Sequence, residues 1–235
     1  MTPQPAQTPP AAPKKAFVWL RRLVLVLLAA FAGLFLYDTF APPVSTLMLA
    51  RWLTGQNVER VATPLEKIAP LLQQAVIASE DARFCLHSGV DWRALRAAVT
   101  QAQADGKTRG ASTIDMQTVK NLFLFPGRLV FRKAVEIPLT LALNLFWSKP
   151  KILAAYFNIA EWGEGLFGAE AAARLYFKKP AAALTAREAA LLAAALPNPR
   201  KRDPRRPSAA YARLAGKLMA RMAMGAAPTS CLSRK

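Results

Sequence analysis

From residue 63 onward, apolar residues recur at the spacing of an α-helix, and no long stretch alternates between apolar and polar positions. This periodicity is typical of helices that bury one face. Residues that cap helices, and prolines that stop them, set the limits of each predicted element. The predicted helices cover residues 70–80, 91–104, 112–121, 131–146, 149–159, 185–196 and 208–224. We therefore predict a mainly α fold, with one domain over about residues 45–224.

Capping residues and one internal proline refine these limits. Thr63–Glu66 and Thr185–Glu188 both match the capping box, in which a hydroxyl and a carboxylate satisfy the first backbone amides of a helix. Asp91 and Ser112 each precede a helical pattern and are predicted N-caps. Pro138 lies inside the 131–146 pattern and is expected to kink that helix.

The N-terminal segment differs from the rest of the chain. Residues 1–15 are rich in proline and alanine and are predicted to form a disordered cytoplasmic tail. Leu23 to Tyr37 carries no charge, and residues 16–41 are predicted to form one transmembrane helix. The basic residues before the apolar run place the N-terminus in the cytoplasm and the following domain outside, in the periplasm. These residues are Lys14, Lys15, Arg21 and Arg22. The alternative is a cleaved signal peptide, because Ala30-Phe31-Ala32 resembles a cleavage site. Residues 225–235 are predicted to be a C-terminal tail.

Composition indicates an anionic partner. Lysine and arginine outnumber aspartate and glutamate by 32 to 14, a formal net charge of +18. The candidates are nucleic acid, anionic lipid headgroups and a phosphorylated substrate, and composition leaves all three open. Cys85 and Cys231 are far apart and form no CxxC pair, so neither a disulfide framework nor a cysteine zinc site is expected. The single histidine, His87, argues against a histidine-rich metal site.

Five segments match a set of motifs in a fixed order. They are EDARFCLHSG (80–89), GASTIDMQTVKN (110–121), RKAVE (132–136), KPKILAAYFN (149–158), and REAALL (187–192) with PNP (197–199). They are similar to EDxxFxxHxG, GxSTIxQQxxKN, RKxxE, KxxILxxYLN and a closing motif, and so the chain resembles the peptidoglycan glycosyltransferases. That family includes the glycosyltransferase domain of class A penicillin-binding proteins and shorter monofunctional enzymes. One such motif alone would be weakly specific, whereas five in order are very specific.

The resemblance implies a fold and a reaction. The fold is a mainly α, lysozyme-like glycosyltransferase domain with a small flexible subdomain, preceded by the single transmembrane helix. The reaction polymerises lipid II into β-1,4-linked glycan strands by inverting transfer, with release of undecaprenyl pyrophosphate. The implied partners are lipid II, the growing glycan chain, the inner membrane and other cell-wall synthesis proteins, with no nucleic acid. No cofactor is required, although Mg²⁺ or Mn²⁺ is a candidate to assist the pyrophosphate. Little chain follows residue 224, so a transpeptidase domain is not expected.

The chemistry of the residues agrees with that reaction. Glu80 follows an apolar stretch, Ala75 to Ala78, and burial would suit it as the base that takes a proton from the acceptor hydroxyl. A pyrophosphate leaving group needs cations to neutralise its charge, and Lys120, Arg132 and Lys133 are suitable. Glu136 lies three and four residues after two of these cations, so it can orient them from one helix face.

The motifs also imply a set of substrate-binding residues. Beside the two candidate catalytic residues, Glu80 and Glu136, these are Asp81, Phe84, His87, Ser112, Thr113, Gln117, Lys120, Asn121, Arg128, Arg132, Lys133, Tyr156 and Asn158. Taken singly, several have a structural alternative: a hydrogen-bonding role for His87, an N-cap for Ser112 and a helix C-cap for Asn158. Arg128 belongs to an apolar segment, residues 122–131, which the resemblance assigns to a mobile part that meets the membrane. The alternative for that segment is ordinary core.

The chain also departs from the family pattern, and one unrelated motif occurs. Met116 replaces the first glutamine of a pair, and Asp115 stands where threonine or serine is usual. These departures support an alternative in which the protein is an inactive scaffold for cell-wall synthesis proteins. A second alternative, a glycan-cleaving enzyme, leaves the RKxxE motif without a purpose. Residues 163–168 spell GxGxxG, but a helical pattern precedes them, so we do not expect a dinucleotide site.

Overall fold

The computed structural model describes residues 18–19, 21–22, 33, 41–105, 110–124 and 131–233. The chain divides into two compact units, Met1–Ala41 and Pro42–Lys235. Three predicted features lie outside the described residues: the N-terminal tail (residues 1–15), most of the transmembrane helix (residues 16–41), and Arg128. Among the residues that are described, none of the helices has both the length and the apolar character needed to span a bilayer.

The second unit is built mainly from helices, which confirms the mainly α part of the predicted fold class. The helices within the described residues are α1 (Thr46–Leu53), α2 (Pro70–Glu80), α3 (Trp92–Asp105), α4 (Ile114–Phe123), α5 (Phe131–Phe146), α6 (Lys149–Ile159), α7 (Ala169–Phe177), α8 (Ala186–Ala195) and α9 (Ala209–Ala223). Each of the seven helices predicted from residue 70 onward is present within a few residues of its expected limits. Pro138 lies inside α5, and the helix continues across it.

The helix starts confirm some predicted caps and correct others. Asp91 caps α3 by accepting from the amide of Ala94, and Thr185 forms the full capping box of α8. The box predicted at Thr63 is wrong: only a short 3₁₀ turn, Leu65–Lys67, follows it. Pro70 favours an extended conformation in the residue before it, so this turn cannot extend into a helix. The Ser112 cap is also wrong, because Thr113 caps α4 instead.

A three-stranded sheet of short strands accompanies the helices. Its strands are β1 (Glu59–Arg60), β2 (Glu161–Gly163) and β3 (Leu166–Phe167), in the order β1-β3-β2. The GxGxxG segment forms the β2–β3 hairpin, with Gly165 at a φ of 69° in its turn. Glycine suits that left-handed conformation, and a Cβ there would lie 2.7 Å from the carbonyl oxygen of Asn57. The glycines of this motif therefore belong to a β-hairpin.

The core places the end of α2 beside α4. Ala75 to Ala78 on α2 and Ala189 to Ala195 on α8 are almost entirely buried, apart from small exposure at Leu191, and α2, α8 and α9 pack together. Small side chains allow these helices to approach closely. On the other side, α4 packs against α5 and α6. The last residue of α2 is Glu80, so this packing positions the first candidate carboxylate between two groups of helices.

A disulfide joins the two cysteines, which corrects the expectation from the sequence. Cys85 and Cys231 are bonded across a separation of 146 residues, with their Cα atoms 5.3 Å apart. Cys85 lies in the 3₁₀ turn Phe84–Leu86, and Cys231 lies in a second turn, Ser230–Leu232. The chain that follows α9 therefore returns to the first motif. Two isolated cysteines carry no sequence signal of this approach.

Candidate active site

Glu80 is half-buried, and two hydrogen bonds hold its carboxylate. The Ser79 hydroxyl lies 3.3 Å from Oε1, and Nε2 of Gln117 donates to Oε2 at 3.1 Å. Burial raises the pKa of Glu80 above its ordinary value, while both hydrogen bonds and the charge of Lys120 oppose that rise. A raised pKa suits a group that must accept a proton. Glu80 thus has the surroundings of a general base.

Gln117, the hydrogen-bond partner of Glu80, lines a cavity of about 210 Å³. The predicted residues Lys120, Asn121 and Tyr156 also lie in its wall, as does Glu161, whereas Glu80 is not among the described lining residues. Oε1 of Gln117 accepts a hydrogen bond from the Tyr156 hydroxyl at 3.3 Å. Burial raises the pKa of Tyr156 well above its ordinary value, so its hydroxyl keeps its proton and acts as a donor. This fixes the orientation of the Gln117 amide, whose nitrogen faces Glu80.

The second carboxylate is more deeply buried than the first. Glu136 is 1% exposed, and its Oε1 accepts a hydrogen bond from Nζ of Lys133 at 2.7 Å. Nε of Arg132 lies 3.8 Å from Oε2. Lys133 also donates to the Ser112 hydroxyl at 3.0 Å. Glu136 therefore orients cations, and Lys133 connects α5 to the segment before α4.

The charges of both candidate carboxylates, Glu80 and Glu136, act on Lys120. Burial lowers the pKa of Lys120, and the nearby charges of Arg132 and Lys133 lower it further. Glu136 and, more weakly, Glu80 oppose this effect. Three cations thus share a region with two carboxylates, which leaves one positive charge in excess. Such a cluster can hold a further anion.

Four other predicted residues tie the first motif to the start of α4. Asp81 accepts hydrogen bonds from the Ile114 amide at 3.0 Å and shares one with Nε2 of His87 at 3.0 Å. The Thr113 hydroxyl donates to the carbonyl of Gly89 at 2.6 Å, and Phe84 is fully buried. These side chains hold the scaffold around Glu80. Their contact with substrate stays a prediction.

Asn158 has a similar internal role. Its side chain accepts a hydrogen bond from the Thr63 amide at 2.8 Å and donates to the carbonyls of Thr63 and Ala154. It does not cap α6, whose C-cap is Ala160. Asn158 therefore fastens the loop before α2 to α6, and it is absent from the described lining of the cavity.

The two departures from the family pattern are buried beneath the site. Asp115 is 0% exposed, and both of its oxygens accept hydrogen bonds from Nζ of Lys149, at 2.8 and 3.0 Å. Burial raises the pKa of Asp115, and the Lys149 ammonium opposes the rise. Met116 is 1% exposed and belongs to the core. Neither side chain lines the cavity, so the departures alter the packing of α4 rather than the surface that faces Glu80.

Asp81, His87 and Asp115 lie close enough together to be considered as a metal site. Their candidate ligand atoms are all within 4.8 Å of one another. However, the Lys149 ammonium already occupies both oxygens of Asp115, and Asp81 is engaged by His87 and a backbone amide. A cation there would have to displace an ammonium ion. The group fits a buried ion-pair network better than a metal centre.

Sequence reasoning missed several residues that shape the site, among them Glu161, an acidic residue in the cavity wall. Ser79 contacts Glu80, while Leu196 and Pro199 form part of the cavity wall. Ser79 is adjacent to Glu80 in the chain, but the sequence does not show where its hydroxyl points. The PNP motif marked the region of Leu196 and Pro199, yet only packing of α8 against α2 brings it to the cavity.

The hydrogen bond from Gln117 makes the pH dependence of activity testable. A general base at Glu80 would act as a carboxylate, so activity is expected to fall as the pH drops through the pKa of Glu80, which burial raises. Gln117 stabilises the charged form and opposes that rise, so Gln117→Ala should move the acidic limb of kcat/KM to higher pH. Asn121→Ala is the control, because Asn121 lines the same cavity without a described hydrogen bond to Glu80. If the acidic limb of Gln117→Ala stays in place or moves to lower pH, Gln117 does not stabilise the charged form of Glu80.

Comparison with known proteins assigns the chain to a family. A family model described as Transglycosylase matches residues 47–223. A biosynthetic peptidoglycan transglycosylase of Agrobacterium fabrum is 52% identical over 177 residues, which cover 75% of this chain and 78% of that protein. Proteins of the same name from Rhodospirillum centenum and Rhizobium meliloti are 49% and 45% identical, over 86% and 93% of this chain and 92% of each of theirs. On this evidence, the chain belongs to the transglycosylase family.

Proposed function

We propose that this protein is a peptidoglycan transglycosylase that polymerises lipid II. The relatives are named for peptidoglycan biosynthesis. The observation that carries the proposal is the pairing of a half-buried carboxylate, Glu80, with a group of cations on α4 and α5. A base and a cation cluster are the two parts that transfer from a sugar diphosphate requires. The motifs imply the same substrate and the same β-1,4 product.

In this mechanism, Glu80 removes the proton from the 4-hydroxyl of the acceptor sugar as the oxygen attacks the donor carbon. Attack from the face opposite the diphosphate inverts the α-linked donor into a β-1,4 linkage. The bond from the donor carbon to the diphosphate oxygen breaks, and undecaprenyl pyrophosphate leaves. Gln117 holds the Glu80 carboxylate by a hydrogen bond to Oε2, and the proton resides on the Glu80 carboxyl until solvent takes it.

The cations neutralise the charge that develops on the leaving diphosphate. Lys120, Arg132 and Lys133 are assigned this role, and Glu136 holds two of them in place. Electrostatic stabilisation of this kind is commonly worth about 100- to 1,000-fold in rate for a single donor. We also propose that Mg²⁺ or Mn²⁺ can assist. Oε2 of Glu136 is buried and accepts no hydrogen bond within the described part of the chain, so it could be a single carboxylate ligand, with substrate phosphates completing the shell.

The departures at Asp115 and Met116 do not favour the scaffold alternative. Both side chains are buried, and Gln117 still faces Glu80. The glycan-cleaving alternative leaves the cation group on α4 and α5 without a role, since cleavage by water releases no diphosphate. We therefore retain polymerisation as the function.

The direct test uses labelled lipid II with the purified full-length chain. Products resolved by size should form a ladder of glycan strands. Lys133→Ala should slow this reaction by roughly 10- to 1,000-fold, because the diphosphate loses one cation and Glu136 loses its closest partner. Lys201→Ala is a matched control, since Lys201 is exposed and forms no described ion pair.

Two results would count against the proposal. Shortened glycan in place of extended strands would indicate a cleaving enzyme. Equal rates for Lys133→Ala and the control would remove the lysine from the diphosphate site. Circular dichroism should show that both variants keep the wild-type helix content.

We further propose that the domain works in the periplasm, held at the inner membrane by residues 16–41. The basic residues before the apolar run support this topology. The Cys85–Cys231 disulfide supports it independently, because disulfides persist in oxidising compartments and are rare in the cytosol. The redox state of both cysteines in intact cells tests the idea: free thiols in growing cells would contradict a periplasmic domain.

A further inference from the structure

A second cavity, called the basic cavity below, borders Ser79, the residue before Glu80, and three basic residues stand among its apolar lining residues. Its volume is about 380 Å³, within the range of about 300 to 1,000 Å³ that is typical of small-ligand sites. Its polar lining comes from Ser79 on α2, Lys217 and Arg221 on α9, and Arg202 after α8. No aspartate or glutamate is among its described lining residues.

The charges in this basic cavity lack described counter-charges. Nη1 of Arg202 donates to the carbonyl of Ala194 at 2.6 Å, which anchors the guanidinium at the C-terminal end of α8. Lys217 and Arg221 are exposed, and neither forms an ion pair with any residue that the structure describes. Arg221 lies in the last turn of α9, where the helix dipole favours a cation, whereas Lys217 lies away from that turn. Three positive charges around one cavity favour an anionic ligand.

Glu80 connects this cavity to the first one. Ser79 lines the basic cavity and contacts Oε1 of Glu80, while Gln117 lines the first cavity and donates to Oε2. The segment after α8 also separates the two spaces: Leu196 lines the first cavity, and Pro197 lines the second. The candidate base is therefore hydrogen-bonded to one lining residue of each cavity, although Glu80 itself is in neither described lining.

We propose that the basic cavity binds the carboxylates of the peptide attached to the glycan substrate, an inference that rests on the proposed function. A peptidoglycan precursor carries two kinds of anion, a diphosphate and an acidic peptide. The cations on α4 and α5 are already assigned to the diphosphate. A sugar whose hydroxyl reaches Glu80 brings its peptide toward the end of α2, and the basic cavity offers a second group of cations there, beside Ser79.

The test compares two lipid-linked substrates that differ only in their peptide carboxyl groups, which are free in one and amidated in the other. The wild-type chain should show a kcat/KM about tenfold higher for the free acid, since two partly exposed charge contacts are each worth a factor of a few. In the double variant Lys217→Ala/Arg221→Ala, the ratio of kcat/KM for the free acid to kcat/KM for the amidated substrate should fall close to one. The matched control is Lys201→Ala/Arg213→Ala, which removes the same charges from exposed positions outside the cavity and should keep the wild-type ratio.

A binding measurement separates this inference from the proposed function. A soluble disaccharide-peptide fragment with free carboxylates should bind the wild type more tightly than its amidated form, and the double variant should lose that difference. If lipid II is polymerised but neither assay distinguishes the two peptides, the inference is wrong and the function stands. If lipid II is not polymerised, the fragment assay still decides the inference. Binding of the cavity to anionic phospholipid vesicles instead of the fragment, abolished in the double variant, would overturn it in favour of a membrane contact.

Discussion

Glu80→Gln should lower the rate of lipid II polymerisation by about 100- to 10,000-fold, the usual effect of losing a general base. Glutamine keeps the shape of the side chain but cannot accept the proton. Ser79 and Gln117 can still contact the amide, so the end of α2 should stay in place. The cations on α4 and α5 remain, and a diphosphate-bearing substrate analogue should therefore bind with near wild-type affinity. Polymerisation rates and analogue affinity are the two measurements.

Glu136→Gln is the matched comparison, because it makes the same chemical change at the other carboxylate. Lys133 would lose a charged partner at 2.7 Å, and Arg132 would lose one at 3.8 Å. A hydrogen bond to a charged group is worth about 1.5–3 kcal/mol, so analogue affinity should fall roughly 10- to 100-fold along with the rate. Both variants should therefore polymerise lipid II more slowly than the wild type, but only Glu136→Gln should also bind the analogue more weakly.

Two outcomes would reject this division of roles. Near wild-type polymerisation by Glu80→Gln would mean that the base is elsewhere. Loss of binding alone in both variants would make Glu80 a residue that positions the ligand. Circular dichroism of each variant would exclude unfolding as the cause of either result.

Cys231→Ser should lower the free energy of unfolding by about 2 to 5 kcal/mol. The disulfide closes a loop of 146 residues and restricts the unfolded chain accordingly, so its stabilisation belongs to the upper part of the usual range. For a domain of this size the midpoint of thermal unfolding should fall by roughly 5 to 20 °C. Activity at low temperature should be largely kept, because Asp81 and His87 still tie the first motif to α4. Thermal unfolding followed by circular dichroism is the measurement.

Ser230→Ala is a matched control for this prediction, since it alters the neighbouring residue in the same turn and leaves the disulfide intact. Cys85→Ser/Cys231→Ser should be no less stable than either single variant, because each change breaks the same bond. Reduction of the wild type should reproduce the loss. An unchanged unfolding midpoint in Cys231→Ser would show that the disulfide does not form in solution. Alkylation of thiols in intact cells extends the test to the compartment.

Much of this protein could be predicted from the residues in order. The spacing of apolar positions determined the helices, because a helix that packs on a core must repeat its apolar face about every 3.6 residues. Motifs within single helices were equally visible: Lys133 and Glu136 are three residues apart, and they form an ion pair as that spacing predicts. The family likewise followed from five local motifs in order, and the comparisons confirmed it.

Tertiary structure alone decided which side chains meet across the chain. Gln117 contacts Glu80 across 37 residues, and Cys231 reaches Cys85 across 146, since helix packing brings these distant segments together. Burial was also invisible in the motifs: Asp115 and Met116 belong to the same motif as Gln117, but α4 turns the first two into the core and the third toward the cavity. Sequence determines the helical period, whereas the face that each helix presents to substrate depends on the neighbours against which it packs.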